Sequence, residues 1–179
     1  MGWLEEAVNS CAWWPGDILG VSEHVPDEFL SPALDWLATH GLRDAVVDDE
    51  VRLLACEGAT FHHDAEDYPD RVFCVLWLEE TDCWDLVFPY SGVRIELKPG
   101  VIVLFDAANP HGVVARGENE FDGENMGDNG VQTFTSINLQ CAPAALQLLG
   151  CRPSEPGSLP EARHVRLCQT SGAILSTLA

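Results

Sequence analysis

Basic residues are scarce in this chain: nine Lys and Arg stand against 29 Asp and Glu in 179 residues, a formal charge of −20. A surface of that sign repels phosphate backbones and anionic lipid, which disfavours nucleic-acid and membrane-surface roles. Long apolar runs are missing too. None approaches the roughly 20 residues that a bilayer span requires, and the first fifteen residues carry Glu5 and Glu6 where a secretory leader would carry Lys or Arg. The expectation is a cytoplasmic protein. The seven cysteines are odd in number and contain no C-x-x-C pair, so they read as reduced thiols, with Cys74 a small hydrophobe inside VFCVLWL. No internal repeat occurs, and no linker is long enough to separate a second domain. The expectation is one domain over residues 1–179.

What is present is an ordinary core content, 46% hydrophobic and 21% charged residues. Acid is concentrated in residues 1–130, which hold 27 of the 29 acidic residues. The start, to about residue 50, has helical character: FLSPALDWLATHGL spaces Leu30, Leu34 and Leu37 three to four residues apart and ends on Gly41. From Val51 to about residue 140 the period changes. Short β-rich runs (VRLLACE, ATFHHD, RVFCVLWL, WDLVF, VRIEL, VIVLF, HGVVA, VQTFTSINL) alternate with Gly, Pro and Asp clusters, which predicts an antiparallel barrel or jelly roll. The stretch GENEFDGENMGDNG (117–130) is too polar to order itself strongly and predicts a loop between two strands. Beyond residue 140, APAALQLLG predicts a short helix, SEPGSLPEA a linker and RHVRLC an edge strand.

The chemistry gathers around three residues. In a strand, side chains alternate faces, so in FHHD His62 and Asp64 point one way and His63 the other. A second His would complete a two-His, one-carboxylate set that leaves open positions on Fe(II). His111 is the candidate, 47 residues after Asp64 in LKPGVIVLFDAANPHGV, where a Pro-Gly turn, an apolar strand and a short loop precede it.

HHD, DRVFCVLWL and LKPGVIVLFDAANPHGV, in that order and spacing, resemble the double-stranded β-helix core of Fe(II)/2-oxoglutarate-dependent oxygenases, and within them the prolyl-hydroxylase-like branch. The resemblance covers roughly residues 50–140. It implies a mainly β double-stranded β-helix (jelly roll) core with N-terminal helices packed against it, with His62, Asp64 and His111 as iron ligands. It further implies 2-oxoglutarate as co-substrate, decarboxylated to succinate as an unactivated C–H bond of a small molecule or peptide is hydroxylated. Asp64 favours hydroxylation over halogenation, because a halogenase vacates that position for the halide.

One departure stands out. The family's basic anchor for the far carboxylate of 2-oxoglutarate lies on the strand after the distal His, and here that strand, VQTFTSINLQ, has no Arg or Lys; the position falls near Gln132, Thr133 or Phe134. Arg71 matches an Arg of the resembling branch, and Arg116 is the second cationic candidate. Thr133 and its neighbours are the uncharged alternative. Arg94 is expected to pair with Glu96 at the surface. Two other readings stay open: an Fe(II) oxygenase that does not use 2-oxoglutarate, and a catalytically silent cupin-like metal- or ligand-binding module. Trp13 or Trp14 could stack on substrate, as the resemblance implies an N-terminal segment over the pocket mouth, and the loop 117–130 could act as a lid.

Overall fold

The computed structural model describes residue 8 and residues 14–22, 24–79, 83–124, 130–150 and 165–177. These form a mainly β structure of two antiparallel sheets with few helices. The elements run β1 (Ile18–Ser22), α1 (Asp27–Thr39), a 3₁₀ turn (Arg43–Ala45), β2 (Val46–Cys56), β3 (Ala59–His62), β4 (Arg71–Trp77) and β5 (Trp84–Phe88). They continue as β6 (Val93–Glu96), β7 (Ile102–Asp106), β8 (His111–Ala115), β9 (Gln132–Gln140), α2 (Pro143–Leu148), β10 (Val165–Leu167) and β11 (Ile174–Thr177).

The larger sheet has the order β1-β2-β9-β4-β7 and the smaller one β3-β8-β5-β6, with β10 and β11 paired as a separate hairpin. From β2 to β9 the chain passes between the two sheets at every connection except the β5–β6 hairpin, so residues far apart in sequence meet across the interior. On β9, Phe134, Ser136 and Asn138 face that interior, while Ile137 and Leu139 pack outward with Val72, Cys74 and Leu76 of β4. The helix α1 covers this outer face with Ala33 and Leu37, both fully buried. The inner faces share a second core that includes Trp77, Trp84, Leu86 and Phe134.

Of the helical start expected to about residue 50, the run FLSPALDWLATHGL forms most of α1, while Ile18–Ser22 and the residues from Val46 are strand, and most of residues 1–13 lie outside the described residues. Among the described residues only α1 is a helix of seven or more residues, because β1 pairs with β2 and β2 already begins at Val46. The acids of VVDDE hid that early start: Asp48 and Asp49 face solvent beside an irregularity in the β2–β9 register between Val46 and Val51. Trp13, His164 and the linker 154–162 lie outside the described residues. Among those described, no helix is long and apolar enough to cross a membrane.

Two glycines set the position of β3. A Cβ on Gly112 would lie 2.8 Å from the Phe61 ring, and one on Gly172 would lie 3.0 Å from it and 2.7 Å from Pro89. Gly172 also has φ +71°, a conformation that costs a glycine nothing. The aromatic ring is thus held by close backbone approach on β8 and in the β10–β11 hairpin, and the Phe61 N–H donates to the Gln169 carbonyl at 2.8 Å.

Candidate metal centre

His62 closes β3 and His111 opens β8, and the two are direct partners in the antiparallel pairing of those strands. Asp64 lies just past the end of β3. Its N–H donates to the Ala107 carbonyl at 2.8 Å, tying the HHD segment to the turn that leads into His111. That turn is closed in its own right, by Asn109 N–H on the Asp106 carbonyl and Ala108 N–H on the Asp106 carboxylate, each 2.8 Å. The backbone therefore brings together two motifs that are 47 residues apart.

The side chains converge. Asp64 Oδ2 lies 3.8 Å from His62 Nε2 and 3.7 Å from His111 Nε2, and one ligand atom from each residue falls within 4.8 Å of the others. Around an ion with bonds of about 2.1 Å, adjacent donors sit roughly 3 Å apart and opposite ones roughly 4.2 Å. The carboxylate–imidazole distances fall between these limits, so a small closing movement of the side chains completes a site.

The tautomers fit as well. His62 Nδ1 lies 2.6 Å from the Thr60 carbonyl and His111 Nδ1 2.9 Å from the Asn109 carbonyl. A carbonyl only accepts, so each Nδ1 carries the proton and each Nε2 presents its lone pair toward Asp64. Burial, reinforced by His62 nearby, pushes the His111 pKa down to about 3, which keeps the ring neutral. Burial raises the Asp64 carboxyl above its usual range, against the opposing influence of His62. A half-buried carboxylate set between two imidazoles, with His111 held neutral, could take up the positive charge of a metal ion. His63 is half-buried and stands outside the three-residue group.

The three residues line a cavity of about 260 Å³ between the sheets. Its inner end is apolar, with Leu54, Val75, Leu86, Val113 and Phe134 among the walls. Beside the ligands, Phe105 meets His111 edge-on at 4.7 Å and continues through Phe73 to Tyr68. At the level of the ligands, β2 contributes Glu50 and Arg52 and β9 contributes Ser136 and Asn138.

The anchor candidates are placed differently from one another. Arg71 lies at the rim and donates to both Glu50 oxygens at 2.9 Å, so its charge is matched there. Asn138 Nδ2 donates to the same carboxylate at 3.0 Å. Arg116 lies 3.5 Å from Asp85, which alternation on β5 puts on the opposite face from cavity-lining Leu86. Thr133 is buried, and alternation from Phe134 turns it away from the cavity. Of the six candidates, the structure brings together His62, Asp64 and His111, sets Arg71 at the rim, and directs Arg116 and Thr133 elsewhere. Arg94 pairs with Asp85 at 2.6 Å instead of Glu96, which takes Lys98 at 2.7 Å.

At the inner end, where the resemblance expects a cation, Gln132 Oε1 accepts from Trp77 Nε1 at 2.7 Å and the Phe134 ring stacks on Trp77 at 5.3 Å. The far carboxylate of a 2-oxoglutarate directed inward would meet no positive charge there. The His-Asp-His group could hold a metal ion; this end of the cavity does not fit the dicarboxylate.

Glu50 and Arg52 escaped the sequence reading. Their signal was the alternation Glu50, Arg52, Leu54, Cys56, all four of which line the cavity. Only the pairing with β9 decides that this half of β2, and not the other, faces inward.

No family model matches the sequence, and no curated protein matches it. Among solved structures, the chain is similar to the polyketide cyclase RemF from Streptomyces resistomycificus, with 16% identity over 53% of this chain and 59% of the cyclase, TM-score 0.34. It is also similar to a predicted oxalate decarboxylase from Thermotoga maritima, with 9% identity over 69% and 78% of the two chains, TM-score 0.36. An RmlC-like cupin protein from Desulfovibrio desulfuricans gives 13% identity over 51% and 76%, TM-score 0.33. The match thus spans less than two thirds of the length of the cyclase.

Proposed function

We propose that this protein is a mononuclear non-haem Fe(II)-dependent oxygenase acting on a small molecule, built as one cytoplasmic domain on a double-stranded β-helix. The observation that carries the reading is the convergence of His62 Nε2, Asp64 Oδ2 and His111 Nε2 at the wall of a largely apolar cavity. Two neutral imidazoles and one carboxylate suit Fe(II) and leave coordination positions for dioxygen and a ligand. Bound there, the iron would supply oxygen activation. The chain's own residues do the rest. The Thr60 and Asn109 carbonyls orient the imidazoles, Asp64 supplies the negative charge, and Phe105, Phe73 and Tyr68 keep bulk water from one side of the site.

The test is anaerobic titration with Fe(II) or Co(II), followed by oxygen uptake. Wild type should bind one ion, and His111→Ala should lose at least about a hundredfold in affinity with its far-ultraviolet circular dichroism unchanged. A protein that binds neither ion would overturn the reading. The second reading, with 2-oxoglutarate as co-substrate, is favoured by the place of the ligands, an H-x-D leaving β3 and a His opening β8. Succinate formed in step with oxygen uptake would support it, and uptake without the keto acid would remove it.

A further inference from the structure

The cavity has its own charge balance. Glu50 is matched by Arg71, and a divalent ion on Asp64 leaves one positive charge in excess. Arg52 adds another. It is the sole Arg or Lys among the residues lining the cavity, its Nη1 donates to the Asp49 and Val51 carbonyls at 2.7 and 2.9 Å, and no carboxylate among the described residues is in ion-pairing contact with it, although its charge is felt by Glu50, which Arg71 already holds. Ser136, its direct partner across the β2–β9 pairing, lines the same wall. On a chain of net charge −20, a metal-loaded cavity whose own lining would carry a surplus positive charge favours an anion.

The rest of the cavity selects for the opposite property. From Arg52 to Cys56 the wall runs inward about 13 Å at the rise of a strand, and the side chains facing this depth are Leu54, Val75, Leu86, Val113 and Phe134. The polar groups at the end are the uncharged Cys56 thiol and the Gln132 amide, whose oxygen is taken by Trp77. A second carboxylate carried to that depth would meet no cation, only the Gln132 Nε2 donor and the Cys56 thiol, and a buried anion without a cation costs several kcal/mol. A dry apolar cavity of about 150 Å³ admits benzene, so 260 Å³ has room for a ring on a short chain.

We propose that the cavity binds a monocarboxylic acid with an apolar body, its carboxylate held by Arg52 and Ser136 beside the metal and its body among the apolar side chains farther in. This rests on the metal-site reading above and narrows its substrate class. A guanidinium is the group suited to the task, because its fork of donors matches a carboxylate.

The test is calorimetric titration of the Co(II)-loaded protein with 3-phenylpropionate, 3-phenylpropionamide, acetate and 2-oxoglutarate. The aryl acid should bind at least tenfold more tightly than the amide, which lacks the charge, and than acetate, which lacks the body. Arg52→Gln should weaken the acid at least tenfold and leave the amide unchanged; its exposed position keeps the fold intact, which circular dichroism checks. Equal affinity for acid and amide, no effect of Arg52→Gln, or tighter binding of 2-oxoglutarate than of the aryl acid would each overturn the proposal. Cobalt content is measured first, and the titrations are repeated on metal-free protein. Cobalt bound without aryl-acid binding overturns the substrate class and leaves the metal reading standing. Arg52-dependent acid binding by a protein that takes up no cobalt supports the acid site and overturns the oxygenase.

Discussion

Glu50 is held by two hydrogen bonds from Arg71 and one from Asn138, and the Arg71 guanidinium, ahead of all else, keeps its carboxyl below the usual range. A depressed folded-state pKa means that the stabilisation is complete above the ordinary Glu value of about 4.3 and is lost as pH falls through the lower folded value. The pair is a quarter exposed, so Glu50→Gln should cost about 1 kcal/mol at pH 7, seen as a melting temperature lower by about 2–4 °C. The gap between variant and wild type should close on acidification below pH 4. Asp64 works in the opposite sense. Burial raises its carboxyl, so the metal-free protein is stabilised by protonation and loses that stability as pH rises through the raised value. Asp64→Asn should therefore raise the melting temperature of the metal-free protein at pH 7 while abolishing Co(II) binding. A variant that melted lower at neutral pH would mean that the carboxylate has a compensating partner.

Among elements, β5 and β6 are joined by more than their ladder. Asp85 is nearly fully buried; it accepts from Arg94 at 2.6 Å and from the Gly117 N–H at 3.2 Å, with Arg116 at 3.5 Å. Arg94 also donates to the Glu118 carbonyl and to Asn119, so the first residues after β8 are fixed to this sheet. Removing the carboxylate leaves two guanidinium groups facing each other. Asp85→Ala should cost about 3–5 kcal/mol, read by chemical denaturation, and Asp85→Asn somewhat less. This network also explains part of what the sequence could not tell. The apolar runs RVFCVLWL, WDLVF, VRIEL, VIVLF and HGVVA coincide with β4 to β8, because periodicity and turn residues are local signals. Arg94 and Glu96 share a strand face, and that local fact suggested a pair; the partner of Arg94 came from the neighbouring strand. The residues of the His-Asp-His group were legible because short motifs carry them. The inward face of β2 was not, since it depends on β9, about eighty residues later.

On the scale of the whole molecule, a charge of −20 implies self-repulsion that compactness increases. Salt screens it, with a Debye length near 10 Å at 0.1 M. Raising sodium chloride from about 10 to 200 mM should therefore increase the melting temperature, by several degrees in metal-free protein and by less once a divalent ion offsets the charge of Asp64. A melting temperature that fell with salt would mean that the ion pairs at Glu50, Asp85 and Glu96 outweigh the general repulsion.

The Phe61 ring, set between Gly112 and the Gly172 region, gives this architecture an order in time. The hairpin that holds it is made from residues 165–177, whereas His62 is the next residue after Phe61. During synthesis at 5–20 residues per second, the strand bearing the first ligand waits on the order of ten seconds for the segment that fixes it. Until then β3 lacks its bond to Gln169 and its cover at Gly172 and Pro89. An ion offered to the nascent chain would meet a His62 whose strand is not yet held by the segment 165–177.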